Sequence, residues 1–120
     1  MKYSPSIMHN PDGACYICGR TDRALQRHEI FHGANRDRSK QFGLWVNLCY
    51  VCHDKLHHVG GGLDHRLKVE GQEAAEIYYG WSNDEFYIYY WMIQAKLCLC
   101  QIQILKNSIK GQIPHREFWN

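Results

Sequence analysis

Apolar and polar positions change rhythm several times along the chain, and each change marks an element. Ala24–Ile30 sets Leu25 and Ile30 on either side of a charged centre (Arg27, His28, Glu29) and reads as a strand. Phe31–Gly43 breaks the pattern with Gly33, Asn35, Asp37, Ser39 and Gly43, which favour turns, and reads as a loop. Leu44–Leu48 (Leu-Trp-Val-Asn-Leu) is compact and β-prone and predicts a second strand. From Tyr50 the rhythm is helical, until Gly60-Gly61-Gly62 stops it. Leu63, Leu67, Ala74, Ile77 and Tyr78 recur near helical spacing and predict a helix over Leu63–Tyr79, closed by Gly80 and weakened inside by Gly71. Ser82-Asn83-Asp84-Glu85 is a capping box that starts another helix. Aromatics crowd Phe86 to Trp91, and Leu97–Ile104 alternates partly like a strand, so helix and strand are not separable there.

The longest apolar run, Phe86–Ile93, falls well short of the ~18 residues of a membrane span. The N-terminus holds no apolar stretch of signal-peptide length, so the expectation is a cytoplasmic protein without a membrane partner. Hydrophobic residues make up 45% and charged residues 22%, the balance of a folded chain rather than a disordered tail. At 120 residues there is room for one domain and not for two cores.

Cysteine spacing narrows the class. Cys15-Tyr-Ile-Cys18 and Cys49-Tyr-Val-Cys52 are matched C-x2-C pairs, and two such turns complete a tetrahedral shell for one structural Zn2+. Gly19 suits the tight turn that follows the first pair. The competing readings are buried or redox-active thiols, and Cys98 and Cys100 read as small apolar residues. The spacer between the pairs exceeds the ~15–20 residues of a simple zinc ribbon, so something is inserted between the knuckles. Right after the second pair, His53 and His57 stand at i and i+4, on one face of the expected helix, where they can share a metal ion. Six of the eight histidines fall between positions 28 and 65, which favours a second, catalytic metal site over a merely exposed helix end.

Cys15-x2-Cys18, His28-Glu29-Ile30, Cys49-x2-Cys52-His53 and His57 together resemble an HNH (His-Me finger) nuclease. The stretch HEIFHGANRDRSKQFGLWVNLCYVCHDKLHH resembles the small phage and prophage members of that family most closely. The resemblance runs from about Ala14 to about Tyr90. It implies an α+β fold: a small ββα-metal finger buttressed by a four-cysteine zinc knuckle and followed by C-terminal helices. Within a single domain of residues 1–120, the finger would occupy about 14–60 and a helical or association segment about 61–120. It further implies that His53 and His57 hold one divalent cation (Mg2+, Mn2+, Ni2+ or Zn2+) with a ligand from the first strand. Two registers stay open for that strand. In one, His28 binds the cation and Glu29 is the general base, which matches the downstream Ile-Phe-x-Gly spacing. In the other, Arg27-His28 fills the motif and His28 is the base, and a neutral imidazole is the better base near neutral pH. The central Asn of the motif is Asn47 or Asn35.

Charge adds a partner. Residues 1–60 carry a net +3 and residues 61–120 a net −1, with cations concentrated between Arg20 and Lys40, a distribution that suits a polyanion or, equally, a solvated face. Arg36, Arg38 and Lys40 are the candidates for phosphate contacts by analogy with the family. The expected activity is metal-dependent hydrolysis of DNA, double-stranded by expectation, leaving 5′-phosphate and 3′-hydroxyl ends in phage genome packaging or in mobile nicking. Phage packaging proteins and a second copy of the chain are the other expected partners, in a bacterial host or phage-infected cell. The alternative is a non-catalytic zinc-finger module that binds nucleic acid. A redox dithiol protein comes third.

Overall fold

The computed structural model describes residues 2–88, in the order β1 (Leu25–Glu29), a 3-10 turn (Gly33–Asn35), α1 (Arg36–Phe42), β2 (Trp45–Cys49), α2 (Tyr50–His58), α3 (Leu63–Tyr79) and α4 (Asn83–Tyr87). The partly alternating stretch 97–104, with Cys98 and Cys100, lies outside the described residues, as do all the aromatics after Ile88. β1 and β2 pair antiparallel, with His28 opposite Val46 and Glu29 opposite Trp45. Because neighbours along a strand point to opposite sides, this register sorts the side chains onto two faces. Gln26, His28, Val46 and Leu48 share one; Arg27, Glu29, Trp45 and Asn47 share the other. Val46 and Leu48 are fully buried in a core that also takes Ile30 and Leu44, Leu56 of α2, Leu67 and Ala75 of α3, and Phe86 of α4. The result is a β-hairpin followed by helices, a ββα-metal-finger-like architecture.

The segment between the strands departs from the expected loop. Gly33 and Asn35 do turn the chain, but residues 36–42 are helical. The turn-forming residues sit at the two ends of this segment rather than through it. Gly43 adopts φ 71°, the left-handed conformation that closes a helix, and its N–H donates to the Ser39 carbonyl. Within the helix Ser39 and Phe42 face inward. The buried Ser39 hydroxyl donates to the Phe31 carbonyl (2.7 Å) and accepts from the Phe31 N–H (3.0 Å), so two backbone groups just past β1 are satisfied. A polar residue that reads as loop-forming is here the pin between α1 and the hairpin.

Two further contacts fix how tightly the elements close. The N-terminal segment runs along β2, with the Ile7 N–H donating to the Gly43 carbonyl (2.9 Å) and Trp45 Nε1 donating to the Ser4 carbonyl (2.8 Å). Gly71, the weak point in α3, is buried, and a Cβ there would lie 3.1 Å from Ile30 Cγ2. Its missing side chain lets α3 close on the end of β1, which offsets the roughly 1 kcal/mol that glycine costs inside a helix. The capping box at α4 is formed in both directions, between Ser82 Oγ and the Glu85 N–H (3.1 Å) and between Glu85 Oε1 and the Ser82 N–H (3.3 Å). Among the described residues no helix is long and apolar enough to cross a membrane.

Candidate metal centre

The four cysteines close on one point. Their Sγ atoms all lie within 4.8 Å of one another, and those of Cys18 and Cys49 are 3.8 Å apart. A tetrahedral shell with Zn–S bonds of about 2.3 Å separates its sulfurs by about 3.8 Å. Cys49 also caps α2, its sulfur accepting from the Cys52 N–H (3.5 Å) and from Arg23 Nη1 (3.7 Å). Burial opposes ionisation of the Cys49 thiol, but these donors outweigh it and hold the thiol well below its ordinary value. Burial and the three neighbouring sulfurs push Cys52 the other way. Such a cluster ionises its first thiol readily and its last only against a cation, so the set fits a structural zinc ion.

A second cluster gathers on the inner face of the hairpin. His28 points inward from β1, and His53 and His57, one turn apart on α2, meet it. Ring centroids are 5.2 Å apart for His28–His53, 5.5 Å for His28–His57 and 4.8 Å for His53–His57. One nitrogen from each lies within 4.8 Å of the others. His28 is 3% exposed, and its Nε2 is buried without a hydrogen-bond partner. Burial, reinforced by the charges that His53, His32 and His57 would carry, pushes its pKa down to about 4, with Asp64 pulling weakly back. At neutral pH it is therefore an uncharged imidazole with an idle ring nitrogen. Three imidazoles in this arrangement form a donor set suited to a divalent transition cation. Gln26, on the same strand face as His28, accepts a hydrogen bond at Oε1 from His53 Nδ1 (2.6 Å). A proton on Nδ1 leaves the Nε2 lone pair of His53 free to ligate.

Glu29 does not join this cluster. Strand alternation turns it to the other face, where its carboxylate accepts a hydrogen bond from the Tyr3 hydroxyl. Burial resists its ionisation, but the Tyr3 and backbone donors, with Arg36 and Lys40 nearby, hold the carboxyl below its usual range. Its charge still reaches His53, which it helps to protonate against burial and the charge of His57.

The three loop cations part company. Arg36 is exposed, and Lys40 Nζ lies 5.2 Å from the centre of the Tyr3 ring. Arg38 is not at the surface. It is 5% exposed, Nη1 donates to Asn35 Oδ1 (3.3 Å), and Nε and Nη2 are buried without a hydrogen-bond partner. The reason is the helical turn that replaces the expected loop, which swings position 38 inward with Ser39. Of the two candidate central asparagines, Asn47 is on the outer side of the hairpin, away from the histidines, and Asn35 Oδ1 accepts from Arg38.

No spacing in the sequence marks His32, yet its ring lies 5.9 Å from that of His28 and 6.0 Å from that of His57. Its Nε2 is 3.1 Å from Asp64 Oδ1, and Asp64 also receives Lys68 Nζ at 2.9 Å. The only sequence signal was its membership of the histidine-rich stretch, because the carboxylate that fixes it comes from another element. No protein-family model, curated protein or solved structure matches the chain. The two ligand clusters, rather than kinship, carry the functional reading.

Proposed function

We propose that the chain is a metal-dependent endonuclease of the HNH (His-Me finger) type that hydrolyses DNA phosphodiester bonds. On this reading residues 1–120 form one domain, a zinc-buttressed finger over about 14–60 with a C-terminal helical segment. Its place of action is the cytoplasm of a bacterial or phage-infected cell. The observation that carries the proposal is the meeting of His28, His53 and His57 on the inner face of a ββα unit. A zinc-only binding module requires the four thiols and has no use for three converging imidazoles, one of them buried with an idle nitrogen.

His28, His53 and His57 are the residues that would hold the cation, with Gln26 orienting His53. When bound, that cation supplies Lewis-acid stabilisation of charge on the phosphoryl and leaving 3′ oxygens. Arg36 and Lys40 remain the proposed phosphate contacts, on the Tyr3 side of the hairpin, while Arg38 is buried. With His28 in the ligand set, the family resemblance assigns the proton from the attacking water to Glu29, whose carboxylate lies on the other face of the strand against Tyr3. A second assignment is favoured by geometry: His32 stands beside two of the three ligands, and Asp64 orients its ring as a carboxylate orients a catalytic imidazole.

Cleavage of supercoiled plasmid tests the proposal, using zinc-loaded protein with Mg2+, Mn2+ or Ni2+ added. Nicking should require the added cation and fall at least about a hundredfold in His28→Ala and His57→Ala, the scale of a lost catalytic group. Equal binding of plasmid by wild type and His28→Ala, with no cleavage under any cation, would establish the binding module instead. Glu29→Gln and His32→Asn, run side by side, identify the proton acceptor as whichever loses the rate while keeping cation affinity.

A further inference from the structure

Tyr50 opens α2 with a large aromatic ring that is 55% exposed. Arg23 lies against it, guanidinium carbon 5.9 Å from the ring centroid, and is held there by its bond to Cys49 Sγ. From Tyr50 an open groove of about 650 Å3 runs along α2 past Gln26, His53 and Lys55 to His57. Tyr50, His53 and His57 stand at i, i+3 and i+7, on one stripe of the helix. The rise from Tyr50 to His53 is about 4.5 Å at ~1.5 Å per residue, short enough for one nucleotide to reach from a phosphate at the imidazoles to a base at the ring. A chain whose phosphate lay at the imidazoles would therefore bring a flanking base over the phenol.

The other aromatic surfaces differ in kind. Tyr3 and Trp45, on the outer face of the hairpin, are already covered by the Arg27 guanidinium, at 4.6 and 4.7 Å. Tyr78 is 67% exposed, but it lines a hollow with Glu70 and Glu73, whose charge repels a polyanion. Tyr50 combines an open ring with an adjoining guanidinium, and its groove sets Lys55 beside a single carboxylate, Asp54, where the Tyr78 hollow has two and no lysine.

We propose that the groove along α2 is a nucleotide subsite, in which Tyr50 stacks on an unpaired base flanking the phosphate held at the histidines, and Arg23 and Lys55 take the neighbouring backbone charge. The placement of the phosphate rests on the nuclease reading; the stacking does not require cleavage. Stacking on an aromatic side chain tolerates any base and is lost when the ring is removed. The occupant is accordingly a nucleic-acid strand with at least one base free of its partner.

Binding is measured by fluorescence anisotropy at one fixed salt concentration, without added divalent cation, on zinc-loaded full-length protein. The probes are a thymidine decamer and the same decamer made abasic throughout. Wild type should prefer the base-containing strand by about tenfold. Tyr50→Ala should lose that preference, and Tyr50→Trp should keep it. A preference unchanged in Tyr50→Ala overturns the proposal, whatever the plasmid assay shows. A concentration-dependent dimer abolished by Tyr50→Ala, with no effect on either strand, also overturns it and gives the groove to a second copy. Conversely, loss of base preference in Tyr50→Ala by a protein that never cuts DNA supports the subsite and sinks the nuclease reading alone.

Discussion

Gln26 buries nothing and lies on an exposed strand position, yet its amide oxygen decides which nitrogen of His53 is free. Replacing it by leucine removes the acceptor while leaving the hairpin backbone intact. Titration of Mn2+ or Ni2+ into zinc-loaded protein should show Gln26→Leu binding about tenfold more weakly, the lower end of what lost outer-shell partners cost. Gln26→Glu should bind at least as tightly as wild type, since a carboxylate strengthens the same hydrogen bond. Equal affinities for all three proteins would mean that the Gln26 contact plays no part in ligation. Only some of this neighbourhood is legible in the sequence. His53 and His57 announce themselves because helical spacing is local, and His28 only through the His-Glu-Ile triplet that carries the family resemblance. Gln26 and the His32–Asp64 pair are invisible there, because each depends on side chains brought together across 27 and 32 residues.

At the scale of elements, the chain between β1 and β2 shows where sequence rhythm misleads. Gly33, Asn35, Asp37, Ser39 and Gly43 look like one loop, yet only the glycines and Asn35 do the turning, and Ser39 is a core residue. The same spacing fits a two-turn helix whose inner face sets Arg38 and Ser39 beside Phe42, and composition alone does not separate these. By contrast Leu63–Tyr79 and the Ser82 capping box read correctly, since a long amphipathic run and a paired cap are both set by near neighbours. The glycines at the two ends of this segment carry unequal weight. A Cβ on Gly43 would lie 2.2 Å from the Pro5 carbonyl oxygen, whereas one on Gly33 would meet nothing within 4 Å. Both have positive φ, 71° and 66°, so both pay about 1–2 kcal/mol of backbone strain as alanine. Gly43→Ala must also displace the N-terminal segment from β2. In urea unfolding it should therefore lose clearly more stability than Gly33→Ala, by about 1–3 kcal/mol in addition to the shared strain. Equal losses would show that the N-terminal segment yields without cost.

For the whole molecule, the two clusters stand in different relations to the fold. Cys15, Cys49 and Cys52 belong to the same buried core as Ile30, Leu48 and Leu56, and they tie the segment before β1 to the start of α2. His57 is exposed and His53 half-buried, so the imidazole site lies at the rim of that core. A chain this short buries only a modest core, and a structural metal supplies folding free energy directly, because its site does not exist in the unfolded state. Breaking the two clusters should then have different signatures. Cys52→Ser, which breaks the zinc shell, should lower the thermal midpoint by more than about 10 °C, at roughly 4–8 °C per kcal/mol for a domain of this size. His57→Ala should shift it by no more than a few degrees, because it empties no part of the core, while abolishing titration by Mn2+ or Ni2+. Circular dichroism melts of the two variants beside wild type provide the check. A large loss in His57→Ala would make the imidazole cluster a second structural centre and remove the main support for a catalytic one. A stable Cys52→Ser protein would mean that the hydrophobic contacts between hairpin and helices suffice, leaving the four thiols to some role other than holding the fold.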